Sequence, residues 1–221
     1  MSLQLLGSDD RATSSSVLAV CRVFAMALVA GVLSGCDDSN RSVSSPRSDD
    51  DHLRAAERFI DTFYAFDSTE LHAMLVHATD SIPSIGFYQG WAEGGHYQIV
   101  ERMPCETKEP ERVSCSITVQ DDLMLALDID FHVTDTFELS FLDGAIVSVD
   151  TSSNDLQVFW DAREWVQENH PELIRIPCQD MFDGGPTPGA CVRAMVDGYV
   201  RFAASGEFPE RGALLSSSNR N

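Results

Sequence analysis

The sequence predicts an α+β fold in which N-terminal helices pack on a curved antiparallel sheet, cone-like, with a helical extension at the C-terminal end. Three observations carry it. Residues 50–94 place apolar side chains at helical spacing, residues 97–149 change to alternation broken by turn signals, and residues 155–205 return to helical spacing. Helices, then consecutive strands, then helices is the order of an α+β domain rather than of alternating βαβ units.

The first helix is expected from Asp50 to Phe66, with Leu53, Ala56, Ile60, Phe63 and Tyr64 on one stripe. Asp67-Ser68-Thr69-Glu70 is a capping-box pattern and starts a second helix that turns Leu71, Met74 and Leu75 inward. A third, from Ser84 to Gly94, carries Phe87, Tyr88 and Trp91. Tyr97–Met103 and Val113–Val119 read as strands around a loop of charge and proline. Asp121–Leu127 reads as a short helix or an irregular crossing. Val133–Leu142 then places Val133, Phe137, Leu139 and Phe141 on one face, against Thr134, Thr136, Glu138 and Ser140. Asp143-Gly144 is a two-residue hairpin signal, and Ala145–Val149 is the returning strand. Residues 155–169 form a helix with Leu156, Phe159, Trp160, Trp165 and Val166, ended by His170-Pro171. Gly184-Gly185-Pro186 is a turn. Thr187 caps a last helix that opens with Pro188, runs to Ser205 and ends at Gly206.

Ahead of this domain, Val23–Val32 is an uncharged apolar run preceded by Arg22 and followed by Leu33-Ser34-Gly35-Cys36. The run is too short to span a bilayer, and it has the layout of a signal-peptide core behind a positive flank. The stretch Leu33-Ser34-Gly35-Cys36 resembles the lipobox of a bacterial lipoprotein. That resemblance implies a signal peptide over residues 1–35 and a membrane-anchoring lipid, such as palmitate, on Cys36. Residues 36–49 then hold the lipidated cysteine and a polar, serine-rich tether that reaches roughly 20 Å. Asp37 resembles an inner-membrane retention signal, so the expected location is the periplasmic face of the inner membrane wherever an outer membrane exists. Asp9 and Asp10 are acidic where a leader is usually basic, which suggests a true start near Val17.

The formal net charge of −20 repels nucleic acid, and binding to it is not expected. Two of the six cysteines, Cys21 and Cys36, belong to the leader and the lipid site. Cys105, Cys115, Cys178 and Cys191 remain. In an oxidising compartment they imply two disulfides with three possible connectivities. Cys105–Cys115 and Cys178–Cys191 are the expected pairs because each closes a short loop, and each is worth about 3 kcal/mol in the chain-entropy model. Zinc is not expected, since no cysteine pair has close two-residue spacing or a histidine nearby. Asp121, Asp122, Asp128 and Asp130 match no calcium-loop spacing. No cofactor motif and no Gly-X-Ser-X-Gly, His-Glu-X-X-His or phosphate-loop pattern occurs in the domain.

The stretch AERFIDTFYAFDSTELHAML, the following Gly86-Phe87-Tyr88-Gln89-Gly90-Trp91 and the later FELSFLDGAIVSVD are similar to the nuclear-transport-factor-two-like superfold. This is the cystatin-like α+β cone, which includes ketosteroid isomerase, scytalone dehydratase, limonene epoxide hydrolase and polyketide-cyclase-like proteins. The similarity covers about residues 52–168 and speaks to fold more than to function. It implies a cone domain over 50–170. The segment 171–206, with Cys178 and Cys191, lies outside the common core and is expected to be a disulfide-stapled helical extension, while the polar, serine-rich end over 207–221 is expected to be a disordered tail. The resemblance also implies a cavity between sheet and helices, with Tyr64, Trp91, His96, Tyr97, Phe137 and Phe141 as candidate lining residues and His132 as a further polar candidate. Isomerase-type chemistry needs a neutral acid beside a tyrosine and a second carboxylate as base. The strand positions suited to an inward carboxylate are read as Phe137, Leu139 and Phe141, so no catalytic residue is assigned.

Plainer roles compete at each candidate. Tyr64 suits a core residue with a satisfied hydroxyl, and Trp91, Trp160 and Trp165 suit packing. His96 and His132 suit solvent-facing loops. The expected function is therefore a lipid-anchored envelope protein that binds a small apolar ligand, or an envelope protein partner, without catalysis. A cofactor-independent isomerase, dehydratase or hydrolase is the alternative, and the sheet is a candidate surface for homodimerisation.

Overall fold

One open antiparallel sheet of five strands and seven helices make up the described part of the chain, so the α+β class holds. The computed structural model describes residues 46–179 and 189–209, all within the unit Ser42–Asn221. The leader, Cys36, most of the tether, the Gly184-Gly185-Pro186 turn, the Thr187-Pro188 cap and the tail beyond residue 209 lie outside the described residues. Among the described residues, no helix is long and apolar enough to cross a membrane.

Helix α1 (Pro46–Tyr64) buries Ala56, Phe59, Ile60 and Phe63 and packs against the sheet. Phe66, at φ 57°, then turns the chain into α2 (Ser68–Met74), where the Asp67 side chain accepts the Glu70 amide as the capping pattern requires. Helix α3 (Ile82–Gly94) follows with Pro83 in its first turn.

Strand β1 (Gln98–Arg102) and strand β2 (Glu106–Glu109) both pair with the same side of β3 (Arg112–Gln120), interrupted between them at Met103-Pro104-Cys105. Pro104 lacks the amide a continuous ladder would need. Glu106–Glu109, expected within a loop of charge and proline, is instead a strand. Its Glu-Thr-Lys-Glu side chains are all exposed, so no apolar alternation marks it, and pairing to β3 alone makes it a strand. Cys105 is disulfide-bonded to Cys115 across this pair, and Cys178 to Cys191. Arg102 holds the same edge to α1 through Glu57 and Asp61, while Glu57 also accepts the Cys105 amide at 2.7 Å.

Helix α4 (Asp122–Ala126) is capped by Asp121, whose carboxylate accepts the amides of Leu123 and Met124 at 2.8 and 2.9 Å. Strands β4 (Val133–Leu142) and β5 (Ala145–Ser153) join through Asp143-Gly144, both at positive φ, the geometry of a type I′ hairpin turn. The inner face of β3 and β4 buries Val113, Cys115, Ile117, Val119, Phe137, Leu139 and Phe141. The outer face carries serine, threonine and glutamate, with Thr118 and Thr134 sharing a hydroxyl contact at 3.0 Å.

Helices α5 (Gln157–Asn169), α6 (Pro171–Ile174) and α7 (Gly189–Ala203) complete the chain. α7 supplies Cys191, Val192, Met195, Tyr199 and Phe202 to the core and packs on α3, α4 and α5. The Tyr199 hydroxyl donates to the Phe159 carbonyl at 2.8 Å, which ties α7 to α5. Where α7 meets α3, a Cβ on Gly94 would lie 2.3 Å from the Gly189 Cα, so the two backbones touch. Gly94→Ala is expected to cost about 1–3 kcal/mol by forcing them apart, read as a lower urea midpoint at unchanged slope.

Candidate ligand-binding site

A cavity of about 210 Å3 opens beside the sheet, where the end of α3, the start of β1, the end of β5 and the first turns of α5 leave a gap. Tyr88, Trp91, Tyr97, Phe159 and Trp160 give it aromatic walls, with Phe87 contributing further apolar surface. Its polar lining comes from Thr151–Ser153, Asp155 and Arg163. Trp160 is 45% exposed and marks the mouth, whereas Trp91 and Phe159 are buried. The Arg163 guanidinium lies over the Trp160 ring, 5.9 Å from its centroid.

The local sequence explains this assembly. Tyr88 and Trp91 lie three residues apart on α3 and so share a face. Gly94-Gly95 lets the chain turn tightly behind them, and His96, at φ 50°, delivers Tyr97 to the start of the sheet. The Tyr97 hydroxyl takes a hydrogen bond from Trp91, joining two walls of the cavity. On the far side, Ser153 donates to the Asp155 carboxylate at 2.6 Å just before α5 begins.

Behind the Tyr88 wall lies a buried carboxylate that the sequence reading missed. Asp135 is fully buried on β4. Tyr64 donates to its Oδ2 at 2.7 Å and Tyr88 is also within hydrogen-bonding reach, while its Oδ1 has no partner among the described residues. Burial pushes the Asp135 carboxyl up to about 6, against the lowering effect of the two tyrosines. Asp121 is likewise pushed up to about 6 by burial, although its two amide donors favour the charged form. Burial also raises Asp155. The Tyr64 hydroxyl is held far above its ordinary range, first by burial and then by the Asp135 charge.

The expectation that the inward positions of β4 are only apolar is therefore corrected. Residue 135 shares the parity of Val133 and Phe137, so the alternation itself places it inside. That parity was the available signal.

Of the six candidate cavity residues, Trp91 and Tyr97 line the cavity. Tyr64 and Phe137 sit in the aromatic core behind it, with ring centroids 6.2 Å apart. Phe141 is buried at the other end of β4 and stacks on His52. His96 is exposed and pairs through Nδ1 with Asp122 at 2.5 Å. His132 is exposed beside Gln120 rather than beside a carboxylate. Trp165 lies outside the lining and donates to Glu207 at 2.9 Å.

No family model, curated protein or solved structure matches this chain. Among the described residues, no group of three or more His, Cys, Asp or Glu side chains is arranged to hold a metal ion.

Proposed function

We propose that this protein binds a small, largely apolar molecule in the aromatic cavity and does so without chemistry, as a lipid-tethered protein of the cell envelope. The aromatic lining carries the proposal: rings from α3, from Tyr97 just ahead of β1 and from α5 border a volume of small-molecule size. A cone-like arrangement of helices over a curved sheet, as in the nuclear-transport-factor-two-like superfold, is the architecture this reading adopts. The Cys36 lipid and the tether hold the domain near the membrane, facing the periplasm where an outer membrane exists.

Binding is favoured over catalysis by the position of the Tyr64–Asp135 pair. An isomerase, dehydratase or hydrolase needs its acid and base at the ligand, but neither residue lines the cavity and Tyr88 stands between. A partner protein or second copy on the outer sheet face is less favoured, because that face is polar.

Native mass spectrometry of the chain extracted gently from membranes tests the reading. A bound small molecule is expected, and Trp91→Leu is expected to lose it. An empty cavity after extraction, and in every subsequent ligand titration, overturns the proposal.

A further inference from the structure

We propose that the ligand of this cavity is an organic cation, a methylated ammonium group held between aromatic faces and the Asp155 carboxylate. The inference rests on the small-molecule reading above and names the ligand class.

The walls present the right chemistry. Tyrosine and tryptophan rings carry negative charge on their faces, and a desolvated cation placed between several of them is bound by that quadrupole. The hydroxyls of Tyr88 and Tyr97 lie close to polar neighbours, one to Asp135 and the other to Trp91. Their rings line the cavity.

The field in the cavity has the same sign. Asp155 is on the lining, and Asp121 and Asp135 stand close enough behind it to act on the Tyr97 hydroxyl. Arg163 is the cationic group on the lining, and it sits over Trp160, the exposed ring at the mouth. One carboxylate on the lining and two behind it thus stand against one guanidinium around a largely aromatic space. A neutral apolar ligand would leave that imbalance in place, an anion would worsen it, and a cation reduces it.

The test compares choline with 3,3-dimethylbutan-1-ol, its neutral isostere, by quenching of tryptophan fluorescence in the detergent-solubilised full chain. Choline is expected to bind at least about tenfold more tightly. Asp155→Asn is expected to remove most of that difference by weakening choline far more than the alcohol, and Trp160→Leu, a change at an exposed site, to weaken choline selectively. Co-sedimentation with phosphatidylcholine vesicles, and its competition by free choline, separates a lipid headgroup from a free solute as the source of the cation. Equal or tighter binding of the alcohol overturns the cation inference and leaves the small-molecule reading standing. Binding of neither probe, together with no co-purifying molecule, overturns both.

Discussion

Phe137→Ala is expected to cost about 3–5 kcal/mol, a large share of the stability of a domain this size. Phe137 is fully buried at the centre of β4, and four other rings converge on it. Its centroid lies 4.9 Å from that of Phe63 and 6.0 Å from those of Phe59 and Tyr88, with Tyr64 at 6.2 Å. These rings come from α1 and α3, so truncation opens a void where both helices meet the sheet. The loss combines apolar transfer with a cavity that rigid neighbours cannot fill. Urea unfolding followed by tyrosine and tryptophan fluorescence measures it. Phe137→Leu is expected to lose much less, and equal losses for the two variants would mean that the ring cluster contributes little. Because Tyr88 leans on Phe137 and also walls the cavity, the alanine variant should bind ligand more weakly than its residual folded fraction accounts for.

The second large effect is a pH dependence centred on Asp135. Its folded pKa, about 6, is above the ordinary aspartate value near 4 that the unfolded chain shows. The folded state therefore holds the proton more tightly. This contribution to stability is fully present below pH ~4 and is lost as pH rises through about 6, by an amount on the order of 3 kcal/mol. Asp121 moves in the same direction over the same window. Asp135→Asn removes one of the two contributions, because the amide accepts from Tyr64 without ever ionising. The variant should match the wild type near pH 4 and exceed it in unfolding free energy above pH 7. A difference between the two that stays constant from pH 4 to pH 7.5 would show that Asp135 remains ionised throughout and that its burial is relieved by some other means.

Asp135 also shows what the sequence made legible and what it did not. The helices α1, α2 and α3 were readable because their apolar spacing and the Asp67 cap are local properties of consecutive residues. The hairpin turn at Asp143-Gly144 was readable for the same reason, since both residue types accept positive φ. The disulfides paired cysteines close in sequence, where loop closure favours them. Asp135 was legible by parity but hidden by its type, as a carboxylate is not expected among Val133, Phe137 and Leu139. Only the tyrosines from α1 and α3 make its burial tolerable, and their approach is a tertiary fact. The same holds for the cavity. Trp91 and Tyr97 are neighbours in sequence and could be proposed together, whereas Asp155, Phe159 and Trp160 reach them only because α5 folds back beside α3. The depth to which α7 enters the core was invisible too, because helical amphipathicity names a buried face without saying what covers it.

The broken strand opposite β3 has a consequence for how the molecule behaves among its own copies. A long, flat strand at a sheet boundary is a template on which another chain can extend the ladder. Here that boundary is cut into two short pieces at Pro104, each with an irregular register, and it carries Glu101, Arg102, Glu106, Lys108 and Glu109. At the opposite boundary the Val149 amide of β5 is already taken by the Ser81 hydroxyl at 3.0 Å. Under the proposed lipid anchoring, which would concentrate the copies in two dimensions, such guarded boundaries separate a dispersed population from one that zips into aggregates. The interruption that looks like a flaw in the sheet is, on this view, what lets the domain be crowded safely.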